Sequence, residues 1–315
     1  AVYQVNIRLA MQLAKLIKKC DPFIVVAVGG PQATFMPGQA LAQMPAVDVI
    51  IRGEGETVLP ELVNCLARQG DISGVKGIIF RGEDGIYETE AGPLVHNLDT
   101  FPSPYQTGVF RWSDHSGAAM LTSRGCTYDC DFCYTPSAFS RTIRSHSTRR
   151  VLDDMNACVR NGIRRFFFAD PSFTFDKKRV RVIMRGIIKK RWKVEIWCET
   201  RADLVDAQLL SLMAKAGVKY IAYGLESVDQ EVNKELNKRI DLRQFAETVR
   251  MTQSAGIEPE VFTLYGLPKQ TRDSALRTLR FLQGLGVKIS YNSAGQQLFI
   301  FFGTDVFKHP RKYGI

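Results

Sequence analysis

The chain has 315 residues, 45% hydrophobic and 23% charged, which suits two ordinary globular domains and excludes a disordered or low-complexity polypeptide. No apolar run approaches the roughly 20 residues that span a bilayer, and the amino terminus lacks a signal-peptide pattern, so a cytoplasmic protein is expected. A net charge of +10 is compatible with nucleic acid, a membrane surface or an anionic substrate, and does not choose among them.

In chain order, residues 9–17 have helical periodicity, and 23–28 read as a fully buried parallel strand ending at Gly29-Gly30. A short helix over 39–43 precedes a strand over 47–51, closed by Arg52-Gly53-Glu54-Gly55-Glu56. A helix over 57–68 follows, then a hairpin from 75–80 and 85–87. This first α/β domain is expected to occupy 1–96, with a linker over 97–117 around Pro102-Ser103-Pro104 and a second domain over 118–315. Glycines at strand ends let a backbone approach a ligand closely, and a following helix amino terminus favours phosphate.

The second domain alternates strand and helix, as a parallel sheet with crossover helices does. Strands are expected over 118–121, 165–170, 194–201, 220–227, 260–265 and 289–300, and helices over 148–161, 177–190, 207–216, 242–255 and 272–285. Strand parity puts Trp197, Glu199 and Arg201 on one face, and Ala222, Gly224 and Glu226 on one face of the next strand. Charged groups facing helices would be costly, so these point into the lumen, as ligand contacts or as salt-bridged rim residues. Phe166 to Phe168 read as barrel packing. The basic runs at Lys177-Lys178-Arg179 with Arg181, and at Lys189-Lys190-Arg191, read as a solvated helix face, with membrane-surface attraction as the other reading.

Seven cysteines indicate reduced thiols rather than a disulfide framework. Cys65 and Cys158 fall on helix undersides, Cys20 ends a helix, and Cys198 lies on the strand face opposite Glu199. Cys126, Cys130 and Cys133 differ: their C-x3-C-x2-C spacing, in a loop after a strand, supplies three thiolates and no obvious fourth ligand. A 4Fe-4S cluster held this way keeps one iron open. A Cys3His zinc site completed by His115 or His146 is the alternative, although zinc ligands usually come as two short-spaced pairs. It would suit a zinc-stabilised protein binding RNA through its basic surface, but no RNA-binding signature accompanies the charge and nucleic acid is not the expected partner.

The triplet, Phe132 before its third cysteine and the downstream strands resemble the radical S-adenosylmethionine (SAM) superfamily over 118–300. That resemblance implies a partial (β/α)6 barrel whose cysteines hold the cluster, with the open iron chelating SAM for reductive cleavage to a 5'-deoxyadenosyl radical. It implies SAM contacts from Phe132 near adenine, Asp170 at the amino group, Glu199 on the lumen face, Arg201 at the carboxylate, and Glu226 and Ser227 at the ribose. Reduced flavodoxin or ferredoxin is the implied electron donor, and the substrate is an unknown small molecule or lipid.

The loops at Gly29-Gly30 and Gly53-Glu54-Gly55 resemble the carboxyl-terminal half of a cobalamin-binding domain, fused to one class of that superfamily, and 97–102 resemble its linker. These glycines and Glu54 are the implied cobalamin contacts. The preceding strand and its D-x-H-x-x-G loop have no counterpart here, His96 and His115 sit in linker-like sequence, and Gln32 stands where the family often has histidine. Either a fragment or a reduced domain, with cobalamin binding weakened or absent, is expected. The resemblance implies cobalamin-dependent methylation of an unactivated carbon, with cyclisation, ring contraction or carbon-carbon coupling as the alternative.

Overall fold

A computed structural model describes every residue except Gln4 and Gly295, and Asn292 without its side chain. The chain forms two compact units: Ala1–His96 with Ile300–Lys308, and Asn97–Phe299 with His309–Ile315.

The first unit runs α1 (Ile7–Cys20), β1 (Ala27–Val28), α2 (Pro31–Thr34), β2 (Val49–Ile51), α3 (Gly55–Ala67), β3 (Ile78–Gly82) and β4 (Gly85–Glu88). Its sheet has the order β1-β2-β3-β4; β1 and β2 are parallel, β3 runs antiparallel to β2, and β3 and β4 form an antiparallel hairpin. The strand expected over 23–28 shrinks to two residues. Phe23, Ile24 and Val25 are exposed, whereas Val26 is buried and Val28 packs against the core, because the chain reaches the sheet edge late and pairs with β2 alone. The helix expected over 39–43 is a 3-10 turn, Gly38–Gln43. Phe302 packs against this unit's core and Gly303 lies against the Phe35 ring, so the segment expected to close the second domain belongs here.

The second unit runs β5 (Gly117–Met120), β6 (Ser123–Arg124), α4 (Thr135–Ala138), β7 (Arg144–Ser145), α5 (Thr148–Arg160), β8 (Arg165–Phe168), α6 (Lys177–Lys189), β9 (Glu195–Thr200), α7 (Ala207–Ala216), β10 (Val218–Glu226), α8 (Gln230–Glu235), α9 (Leu242–Ser254), β11 (Glu258–Thr263), α10 (Arg272–Gly284) and α11 (Tyr291–Ala294). Five parallel strands lie in the order β11-β10-β9-β8-β5. Each long crossover helix begins at a capping residue. Ser147, Asp176, Asp206, Asp241 and Thr271 accept a first-turn N–H that the helix cannot satisfy itself. The expected sixth strand over 289–300 does not form among the described residues. That stretch holds α11 and contributes one bridge, Gln297 to Tyr265.

Alternation sorts the strands as expected. Ile196, Cys198 and Thr200 are buried beneath the helices, as are Phe166 and Phe168, whereas Trp197 and Glu199 face the other way. Phe167 is a correction to the packing reading: it is 40% exposed on the open face and packs on Trp197 with ring centroids 4.6 Å apart. Arg179 is another. It does not belong to the solvated face of α6, because its guanidinium reaches back to the carbonyls of Thr122 (2.8 Å) and His146 (3.1 Å).

Candidate active site

The cysteine loop leaves the carboxyl end of β5, where parallel α/β folds gather their chemistry. Asp170, just beyond β8, accepts the backbone N–H groups of Thr122 (2.5 Å) and Ser123 (2.7 Å) on one oxygen and the Thr122 hydroxyl on the other. The β6–β7 ladder pairs Ser123 with Ser145 and Arg124 with Arg144, bracketing the loop between them. Gly125 turns into the loop at φ +94°, and a side chain there would overlap the Thr142 carbonyl. On the far side, Asp131 N–H donates to the Leu236 carbonyl (3.0 Å), the Asn237 amide to the Asp129 carbonyl (3.2 Å), and the Tyr313 hydroxyl to the Asp131 carboxylate (2.7 Å).

Each of the three thiols feels another's charge, so they form one cluster in space. Burial pushes all three above the ordinary thiol range, and the ammonium of Lys238 works against that at every one; Arg201 does so at Cys126 and Cys130. A single zinc ion would need its thiolates within about 4 Å of each other, given Zn–S bonds near 2.3 Å. Among the described residues no three His, Cys, Asp or Glu side chains gather around one such point. Three thiols grouped on one loop, with the cations Lys238 and Arg201 among their surroundings, are a donor set that suits a 4Fe-4S cluster with one iron left open.

The expected SAM contacts are distributed as follows. Phe132 lies in the loop, its ring 6.0 Å from the Lys238 ammonium. Asp170 is fully buried, with both oxygens committed to Thr122 and Ser123; burial, only partly offset by these bonds, pushes its carboxyl up to about 6. It staples the loop rather than presenting a free carboxylate. Glu199 faces the lumen, and burial, followed by the charge of Asp170, pushes it up to about 7. Arg201 has its fork on Asp203 (2.9 and 3.0 Å), donates to the Arg239 carbonyl and sits 3.9 Å over the Tyr128 ring. Its bidentate geometry is therefore spent within the protein.

Glu226 ends β10 at a bulge, with φ +64°, and forms a buried pair with Lys238 at 3.0 Å. Ser227 is buried, its hydroxyl accepting the Asp229 N–H and its carbonyl the Asn233 amide. A cavity of about 1150 Å³ opens beside the loop, lined among others by Tyr128, Cys130, Arg201, Asp203 and Lys238. Sequence reasoning missed Lys238: a lysine in the polar run Asn237-Lys238-Arg239 carries no periodicity or motif to single it out.

In the first unit, the loops after β1 and β2 are stitched by Thr34, whose hydroxyl donates to the Gly30 carbonyl (3.0 Å) and accepts the Gly53 N–H (3.1 Å). Gly30 and Gly53 have positive φ, while a Cβ on Gly53 or Gly55 would meet open space and one on Gly29 only ordinary contact. Glu54 is buried and accepts the Val95 N–H. Gln32 is 8% exposed, and its side-chain oxygen has no partner among the described residues. Val2 lies on the first of these loops, donating to the Gly29 carbonyl (2.6 Å) and accepting the Gln32 N–H (3.2 Å), so the open backbone that fits a polar ligand such as cobalamin is that of Gly53 and Gly55.

A parallel half-barrel with a three-cysteine loop at its carboxyl edge is the frame of this chain, which belongs to the radical SAM superfamily, whose model matches residues 120–282. Residues 1–63 match the B12 binding domain. A 4Fe-4S cluster and SAM come with the superfamily, and cobalamin with the second match. "Uncharacterized methyltransferase PH0819" of Pyrococcus horikoshii is 26% identical over 88% of this chain and 62% of its own length. The anaerobic magnesium-protoporphyrin IX monomethyl ester cyclase of Cereibacter sphaeroides is 29% identical over 87% of this chain and 47% of its own. The chain thus spans less than two thirds of either relative. The cobalamin- and cluster-bound structure of the methyltransferase TsrM from Kitasatospora setae shares the fold, with TM-score 0.78 at 18% identity over 94% of this chain and 59% of that one. No helix among the described residues is long and apolar enough to cross a membrane.

Proposed function

We propose that the protein is a cobalamin-dependent radical SAM methyltransferase acting on an unactivated carbon. When bound, the cluster and SAM supply a 5'-deoxyadenosyl radical and cobalamin carries the methyl group. The chain's part is to hold three thiolates on a loop clamped by Asp170 and Arg179, and to close one side of the site with the Glu226–Lys238 pair. Glu199 lies on the lumen face, where burial raises its carboxyl to about 7. The observation that carries the reading is the group of three thiols at the sheet's carboxyl edge, in a chain that also has open backbone at Gly53 and Gly55.

Similarity to a cyclase supports the second reading, radical cyclisation or carbon-carbon coupling with the first unit as scaffold. Reduced flavodoxin or ferredoxin is the proposed electron donor in both, the cytoplasm the proposed compartment, and a small molecule or lipid the proposed substrate. Anaerobic reconstitution with iron, sulfide, SAM and reductant separates the two. S-adenosylhomocysteine appearing with 5'-deoxyadenosine only when cobalamin is added supports methyl transfer, and 5'-deoxyadenosine indifferent to cobalamin supports the second reading.

A further inference from the structure

Lys238 is 8% exposed, and a buried ammonium survives only with compensation. Glu226 provides it at 3.0 Å, and the geometry around the pair is unusual in two ways. Glu226 adopts φ +64°, a conformation costly for a residue other than glycine, and such strain persists where the surroundings enforce it. Gly224 leaves room for the pair: a Cβ there would lie 2.8 Å from Glu226 Oε1 and 3.0 Å from Lys238 Nζ. The loop carrying Lys238 is in turn bound to the cysteine loop through Leu236 and Asn237.

Lys238 is the cation common to the surroundings of all three thiols, and the charged groups facing it are Glu226, Arg201 and Cys130. Burial opposes its charge, and the Glu226 carboxylate at 3.0 Å compensates it. The reduction potential of a cluster follows its net charge and the charges around it, and gaining an electron is easier beside a fixed cation.

We propose that Lys238 is a positioning residue that raises the reduction potential of the cluster held by Cys126, Cys130 and Cys133, with Glu226 fixing the ammonium in place and partly offsetting its charge. The inference rests on the cluster reading, and iron and sulfide content with the electron paramagnetic resonance signal of the unmodified chain tests that separately. The same signal, followed through an anaerobic redox titration without substrate, reads the potential. Lys238→Met is expected to shift the oxidised-to-reduced ratio at fixed potential at least tenfold toward oxidised, about 59 mV for a one-electron couple. Lys238→Arg should restore most of it, and Glu226→Gln should move the ratio toward reduced.

Equal potentials in Lys238→Met and the parent, or Glu226→Gln shifting in the same direction as Lys238→Met, overturn the proposal. If Lys238→Met loads no cluster, Glu226→Gln decides alone: a shift toward reduced upholds the proposal, and no shift or the opposite one overturns it. An unmodified chain that loads no 4Fe-4S cluster overturns the underlying reading and the inference with it.

Discussion

The Ser123 N–H donates to the Asp170 carboxylate at 2.7 Å, tying the end of β8 to the residues that lead into the cysteine loop. The same oxygen takes the Thr122 N–H and the other takes the Thr122 hydroxyl, all at a fully buried position. Asp170→Ala leaves buried donors unsatisfied, which costs about 2–4 kcal/mol across the group. Urea unfolding should show that loss, and iron bound per chain after reconstitution should fall with it. Asp170→Asn keeps an acceptor for the two N–H groups and should lose about half as much. A parent-like Asp170→Ala in both measurements would contradict the staple.

Gly125 offers a sharper test of the loop, because the obstacle is backbone. Its φ is +94°, and a Cβ would fall 1.9 Å from the Thr142 carbonyl oxygen, which the flanking β6–β7 ladder fixes. Gly125→Ala must therefore displace Cys126 or open the ladder, at a cost of about 3 kcal/mol or more. We expect little iron uptake from this variant, in contrast to Gly162→Ala, where φ is also positive but nothing lies near. Iron uptake equal in the two variants would show that the loop does not need this turn.

The sequence disclosed these relationships unevenly, for physical reasons. Alternation in β9 placed Cys198 under the helices and Glu199 on the lumen face because a strand buried on one side has period two. The cysteine spacing singled out the loop because thiols this close in sequence stay close in space, and each does feel another's charge. Residues 23–25 looked buried because an apolar run does not tell how many of its residues have a strand beside them, and here only Ala27 and Val28 pair. Residues 289–300 failed as a strand for a similar reason, contributing a single bridge. The roles of Asp170 and Arg201 depend on partners that only the folded chain brings close, respectively Ser123 and the Tyr128 ring. Lys238 was invisible because its importance comes entirely from burial beside Glu226.

Glu199 gives the lumen a pH dependence whose sign follows from the direction of its shift. Burial raises its carboxyl from the ordinary 4.5 to about 7, so the folded chain keeps a proton that the unfolded chain releases. Its contribution to stability is then most favourable below pH 4.5, declines as pH rises toward 7, and leaves the fold bearing on the order of 3 kcal/mol beyond that. Glu199→Gln removes the cost, so it should be more stable than the parent at pH 8 and close to it at pH 4.5. Asp170 has the same sign, with its window ending near 6, so some slope should remain in the variant. Chemical denaturation at the two pH values checks this, and a Glu199→Gln that is less stable at pH 8 would mean that the carboxylate has a compensating partner when ionised.

Cysteine replacement separates ligand from packing roles within one chain. Cys126, Cys130 and Cys133 are partly exposed and share the cationic surroundings of Lys238, whereas Cys198 is fully buried in the core, where burial holds its thiol far above the ordinary range. A thiolate is needed to bind iron, and a buried neutral thiol serves as a small apolar side chain. Each of Cys126→Ala, Cys130→Ala and Cys133→Ala should therefore lose the cluster signal and SAM cleavage, to the same floor, with an unfolding midpoint close to that of the cluster-free parent. Cys198→Ala should do the reverse, lowering stability by about 1–2 kcal/mol while retaining iron. SAM cleavage surviving any one of the three loop replacements would overturn the assignment of those cysteines as the cluster's ligands.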